Sequence, residues 1–83
     1  MKNKIIIITG AASGIGKALA TRCAMQGARL SLADLNAEQL EHTETELKKW
    51  NAEILVVPTD VSIEADCKAL IAKTVERYGV LMS

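Results

Sequence analysis

The chain has 83 residues, ten basic and ten acidic side chains, and zero formal net charge. At about 100–200 residues per domain it has room for one small domain, and its 49% hydrophobic content argues against disorder. The charge balance leaves no electrostatic footprint for nucleic acid or an anionic membrane, and with Trp50 and Tyr78 as the two aromatic residues the core must be aliphatic.

The first apolar run, Ile5–Ile8, is four residues long. A bilayer span needs about 20 and a signal-peptide core about 7–15. No export address is visible, so a reducing cytoplasm is the expected compartment. Cys23 and Cys67 fit it as small buried thiols rather than a disulfide. His42 is the one further soft ligand, and no zinc site is expected.

The continuous β-branched run Lys4–Thr9 predicts a strand buried on both faces. Ile15–Gln26, rich in Ala and Leu, predicts a helix closed by Gly27. Arg29–Asp34 reads as a second strand. Asn36 is placed as an N-cap with Gln39 three residues on, a variant of the capping box, and Leu35 and Leu40 stand at the positions of a hydrophobic staple. The helix that follows runs to about Trp50, with Leu40, Thr43, Leu47 and Trp50 on one stripe. Glu53–Thr59 is a third strand, with Pro58 near its end, where a missing N–H does least harm. Ser62 is expected to cap a last helix, Ile63–Tyr78, whose positions 67, 70, 71, 74, 75 and 78 form a mostly apolar stripe. The order β-α-β-α-β-α predicts an α/β fold with a parallel sheet and right-handed crossovers.

The chemistry sits at the first strand-to-helix junction, Thr9-Gly10-Ala11-Ala12-Ser13-Gly14-Ile15-Gly16. Gly10 permits the turn off the strand, Gly14 lets backbone approach a ligand, and Gly16 lets the helix lie close to the sheet. The helix N-terminus then offers unpaired N–H groups and a partial positive charge to a phosphate, with a pyrophosphate the natural occupant. The fingerprint G-x-G-x-x-G would need Gly at 12, where Ala stands. The P-loop pattern fails because positions 11 and 18 are both Ala, which leaves no hydroxyl for magnesium. Asp34 ends the second strand, 18 residues after Gly16. In a β-α-β unit a carboxylate there can accept both ribose hydroxyls of an adenosine. It would repel a 2′-phosphate, and neither Leu35 nor Ser13 supplies a compensating cation, so NAD(H) is expected over NADP(H).

The T-G-x-x-x-G-x-G spacing of Thr9–Gly16, taken with Asp34 and the pair Asp60-Val61, resembles the N-terminal half of a short-chain dehydrogenase/reductase, and the resemblance runs to Gly79. It implies a partial doubly wound Rossmann-type sheet of three β-α units spanning residues 1–83, built outward in the order 3-2-1. The first two helices would lie on one face, and the third would cross to the other and lead a fourth strand beside the first. It implies that Ser13 and Ile15 contact the cofactor in the loop, that Asp34 holds the adenine ribose, that Asp60 bonds the adenine amino group and that Val61 lies beside the ring. It also implies an oxidoreductase acting on an alcohol or carbonyl, and a homo-oligomer for a full-length member.

The family's catalytic Ser and Tyr-x-x-x-Lys pair have no counterpart here. Tyr78 is not that Tyr, because Met82 stands where Lys is needed, and Tyr78 reads instead as the last core-facing residue of its helix. Chemistry by this chain alone is therefore not expected. An alternative reading is a non-catalytic truncated chain that binds nucleotide weakly or pairs with a full-length subunit. A methyltransferase-like domain shares the glycine loop and acidic strand end. Without a fourth strand, the Ile5–Ile8 strand becomes an aliphatic sheet edge, and marginal stability or self-association is expected.

Overall fold

The computed structural model describes residues 2–79. Ile5–Thr9 forms β1, Gly14–Met25 α1, Arg29–Asp34 β2, Ala37–Leu47 α2, Ile54–Pro58 β3 and Glu64–Tyr78 α3. A short 3-10 turn, Lys48–Trp50, follows α2. The strands form one parallel sheet in the order β1-β2-β3, with Ile6 opposite Leu30 and Leu30 opposite Ile54. This is the expected Rossmann-type fragment of three β-α units.

Alternation along each strand sorts side chains onto two faces. Ile8, Leu30, Leu32 and Ile54 turn to one face and pack with Ala20, Cys23 and Ala24 of α1 and with Leu40 and Leu47 of α2. Ala33 and Val57 turn to the other and meet Leu70 of α3, with Ile7 and Leu55 packed at the margin. The first face is thus covered by two helices and the second by one. Small residues let α1 lie close to the sheet, and a Lys17–Glu46 ion pair at 2.8 Å ties α1 to α2.

Helix starts follow local hydrogen bonding. Asn36 caps α2 as expected, its Oδ1 accepting from the Gln39 N–H at 3.0 Å. The staple does not form, because Leu35 stays 72% exposed while Leu40 is buried. Ser62 does not cap α3, and Ile63 holds that position without a side-chain bond. The reason is Asp60, whose Oδ1 accepts from both the N–H and the hydroxyl of Ser62, at 2.9 and 2.6 Å. The Ser62 hydroxyl is thus engaged with Asp60 and makes no capping bond to the helix. Asp66 Oδ2 accepts from the Asp60 N–H at 2.9 Å and so ties the turn to the first turn of α3.

Two stripes are narrower than their spacing predicts. Trp50 is 39% exposed because the 3-10 turn, with 3.0 residues per turn, rotates it off the Leu40–Thr43–Leu47 line. On α3, Leu70 and Thr74 are buried and Tyr78 is half-buried, but Ile71 and Val75 remain 49% and 38% exposed. A single helix on that face buries its central line and not its flank. Cys23 is buried as expected, whereas Cys67 is only half-buried, and both are free thiols. Pro58 is the last residue of β3, at the strand end where it was expected. Met82 lies outside the described residues.

Candidate functional site

The C-terminal ends of three parallel strands lie side by side, and the loops that leave them converge. The backbone of the glycine loop is pinned to the end of β2, since the Ala11 N–H donates to the Ala33 carbonyl at 3.1 Å. Gly14 has φ +58°, a backbone that disfavours any side chain, and a Cβ built there would point into open space. Gly16 is needed for a different reason. A Cβ there would collide with the Gly10 carbonyl oxygen and lie 2.6 Å from its carbon. The turn off β1 therefore packs directly onto the first turn of α1.

The N-terminus of α1 is left open. Ser13 is the N-cap in extended backbone, but its side chain caps nothing. The first turn of α1 holds no acidic residue, whereas Glu38 stands in the first turn of α2, and Glu64 and Asp66 in that of α3. Of the three helix N-termini, that of α1 keeps its partial positive charge uncompensated by carboxylates. Lys17 is engaged with Glu46, whose carboxyl is held below the usual range chiefly by its hydrogen bond from Lys17. Ile15, in this same turn, is 88% exposed, an aliphatic side chain held in the open beside the loop.

Asp34 is fixed by two backbone donors. Its Oδ2 accepts from the Ala12 N–H of the glycine loop at 3.0 Å, and its Oδ1 from the Asn36 N–H at 3.1 Å. An ionised carboxylate has about four acceptor positions, so roughly two stay free for a ligand. The same two bonds join the loop after β1 to the turn after β2 and hold the site's walls in register.

Gly10, Asp34, Leu35, Thr59, Asp60 and Val61 enclose a cleft of about 210 Å³. This is below the 300–1,000 Å³ of sites that swallow a drug-sized ligand, and it suits one end of a longer molecule. Asp60 projects here from the turn after β3. Hydrogen bonds from the Ser62 side chain first, and then from its backbone, hold the Asp60 carboxyl below the usual carboxylate range. Both use Oδ1, which leaves Oδ2 without a partner among the described residues. Thus Gly10, Asp34, Asp60 and Val61 share one cleft, while Ser13, Gly14, Ile15 and Gly16 form the adjoining helix N-terminus.

Sequence reasoning missed three contributors, namely Leu35, Thr59 and the Ala12 N–H. Leu35 carried a signal in being an apolar residue directly after an acidic strand end, but the staple reading absorbed it. Thr59 and Ala12 carried none, because their part is backbone position. Tyr78 is remote from the cleft. Its hydroxyl donates to the Leu30 carbonyl at 2.8 Å, near the opposite end of β2, and burial pushes its pKa up. No group of three or more His, Cys, Asp or Glu fit to hold a metal occurs among the described residues, and none of their helices is long and apolar enough to cross a membrane.

Comparison with known proteins gives a consistent result. The family model for short chain dehydrogenases matches residues 4–82. An oxidoreductase from Listeria monocytogenes, itself uncharacterised, is 47% identical over 79 residues, covering 95% of this chain and 32% of that protein. Levodione reductase from Leifsonia aquatica is 40% identical over 79 residues, covering 93% of this chain and 30% of the enzyme. A short-chain dehydrogenase/reductase from Burkholderia phymatum, solved with NAD, superposes with a TM-score of 0.91 at 40% identity over 94% of this chain and 28% of that one. L-Sorbose reductase from Gluconobacter frateurii, solved with NADPH and L-sorbose, gives a TM-score of 0.92 at 30% identity over 95% of this chain and 30% of that one. The chain spans about a third of the length of the curated relatives it matches. Fold, loop and sequence agree, and the chain belongs to the short-chain dehydrogenases, of which it corresponds to the N-terminal, nucleotide-binding region.

Proposed function

We propose that these residues hold the adenosine and pyrophosphate end of NAD(H) in an oxidoreductase that acts on an alcohol or carbonyl compound. The observation that carries the reading is the Asp34 carboxylate, pre-set by the Ala12 and Asn36 N–H groups with acceptor positions left over. A ribose 2′,3′-diol offers two donors to those positions. A 2′-phosphate would bring negative charge against the carboxylate, and the neighbouring Leu35 carries no cation to offset it.

The residues present fit the dinucleotide. The open N-terminus of α1 suits a pyrophosphate, with N–H groups of the Ser13–Gly16 turn as donors and no carboxylate in the first turn to repel it. The exposed Ile15 side chain would cover the ligand where it leaves the loop. Leu35 and Val61, 72% and 62% exposed, are the apolar side chains of the cleft, and an adenine ring between them would remove both from water. Asp60 Oδ2, which has no partner among the described residues, would accept from the ring's amino group. The nicotinamide supplies the carbon that gives or takes a hydride, and this chain's residues bind and orient the molecule that carries it.

A second reading is a chain that binds nucleotide without catalysis. Titration calorimetry with NADH, NADPH and S-adenosylmethionine tests the binding proposal. NADH is expected to bind at least tenfold tighter than NADPH, and Asp34→Ala is expected to abolish the preference. Tighter binding of NADPH, or of S-adenosylmethionine, would overturn it. An assay for NADH consumption with small ketones separates the two readings, since turnover excludes the second.

A further inference from the structure

The open side of β3 carries features that the cofactor cleft does not use. Two hollows, of about 320 and 460 Å³, lie along this strand, and each is larger than the Asp34 cleft. The Leu30 N–H donates to the Glu53 carbonyl, and the Thr59 N–H to the Asp34 carbonyl. In a parallel ladder the backbone groups of successive residues turn alternately to the two sides of the strand. Odd-numbered residues around β3 therefore bond β2, and the N–H and C=O groups of Ile54 and Val56 point outward. Pro58 falls in the outward phase, so its missing N–H costs the sheet nothing and ends the row of outward donors at Val56.

The walls of this edge differ in charge. On one side α2 presents Glu41 and Glu44. On the other α3 presents Lys73 and Arg77, with Glu76 between them. The Arg77 guanidinium lies over the Tyr78 ring, 5.4 Å from its centroid, and Arg77 lines both hollows. Glu41, Glu44, Lys73 and Arg77 form no ion pair among the described residues, whose pairs are Lys17–Glu46, Arg29–Glu53 and Lys68–Glu64.

We propose that the outer edge of β3 docks an extended peptide segment whose side chains alternate between basic and acidic. A strand added to Ile54 and Val56 turns successive side chains to opposite faces. Its basic residues would meet Glu41 and Glu44, and its acidic residues Lys73 and Arg77. Main-chain bonds to the edge supply affinity and the walls supply selection. A second copy of this chain is the poorer occupant. Antiparallel pairing about a two-fold axis normal to the sheet keeps faces together, so acidic wall would meet acidic wall and basic would meet basic, which is destabilising.

The test is amide exchange by NMR on the 83-residue chain with a capped decapeptide of alternating Lys and Glu. Its control is a peptide of five Lys followed by five Glu. The alternating peptide is expected to slow exchange of the Ile54 and Val56 amides at least tenfold, and the block peptide is not. In Glu41→Lys/Glu44→Lys the alternating peptide should bind at least tenfold more weakly and a deca-Glu peptide should bind instead. If that variant does not fold, Lys73→Glu/Arg77→Glu with a deca-Lys peptide asks the same question of the other wall. Equal responses to alternating and block peptides, or no slowing at Ile54 and Val56, would overturn the proposal and leave these charges as guards of an edge strand.

Discussion

Ser31 and Thr74 are fully buried polar residues that meet across the interface of β2 and α3, their hydroxyls 2.7 Å apart. The Thr74 hydroxyl also donates to the Leu70 carbonyl at 2.7 Å. It has one proton, so Ser31 must be the donor within the pair, and the bonds run Ser31 to Thr74 to Leu70. Removing the acceptor is therefore worse than removing the donor. Thr74→Val leaves the Ser31 proton buried without a partner and is expected to cost about 1–3 kcal/mol. Ser31→Ala leaves Thr74 bonded to its own helix and is expected to cost about 1 kcal/mol. Urea denaturation of both single variants and the double variant checks the order, and the double should cost less than the sum. At the cleft, Ser62 lowers the pKa of Asp60. A carboxyl lowered in the fold adds stability that is complete above its unfolded value of about 3.9 and is lost as pH falls through the lower, folded value. Ser62→Ala removes the side-chain bond and keeps the backbone one, so it is expected to raise the Asp60 pKa part of the way toward the ordinary value and to reduce that acid-side contribution, as read from the carboxyl titration by NMR.

At the scale of elements, the junction of β1 and α1 couples fold to site. Gly16→Ala would drive a methyl group into the Gly10 carbonyl, a backbone atom that cannot step aside. The cost is expected to be of the order of 1–3 kcal/mol for overpacking. The same shift would move the loop that the Ala12 N–H ties to Asp34. Thermal unfolding should show a lower midpoint, and NADH binding should weaken further than the loss of stability alone explains. That junction was legible in advance because only glycine answers its demands. The alternation of β-branched runs with Ala-rich and charged stretches likewise placed all six main elements, and Asn36 with Gln39 placed the start of α2. What stayed hidden depended on partners rather than periodicity. Leu35 occupies a staple position, but the Asn36 N–H is drawn to Asp34 and the chain turns with Leu35 facing outward. Ser62 has the right chemistry for a cap, but Asp60 claims its hydroxyl first. Ile71 and Val75 obey helical spacing, yet burial on a flank requires a neighbouring element, and spacing carries no information about one.

For the whole molecule, those flanks fall on one side. Lys73 and Arg77 turn toward β3, where they line a hollow with Leu55. At about 100° per residue (3.6 residues per turn), Ile71 and Val75 lie on the opposite flank of α3, toward β1. On α1, Lys17 turns toward α2 to meet Glu46, which by the same rotation sends Ile15 and Leu19, 88% and 48% exposed, toward β1 as well. Between them runs β1, whose Ile5, Ile6 and Ile7 are half-buried and whose outer side pairs with no strand among the described residues. The two edges of the sheet thus differ in kind. β3 is bounded by Pro58 and by charges of both signs, whereas β1 is an isoleucine run with apolar residues on both flanks. An uncharged edge of this kind pairs readily with its like, because a two-fold axis would set apolar flank against apolar flank on both faces. A polypeptide of these 83 residues is accordingly expected to self-associate, its sedimentation mass rising with concentration. Ile71→Lys/Val75→Lys alters side chains already half in water, so it should leave the fold intact by circular dichroism while lowering the associated fraction. A constant monomer mass across the concentration range would show that the apolar flanks are not sufficient to bring two β1 edges together.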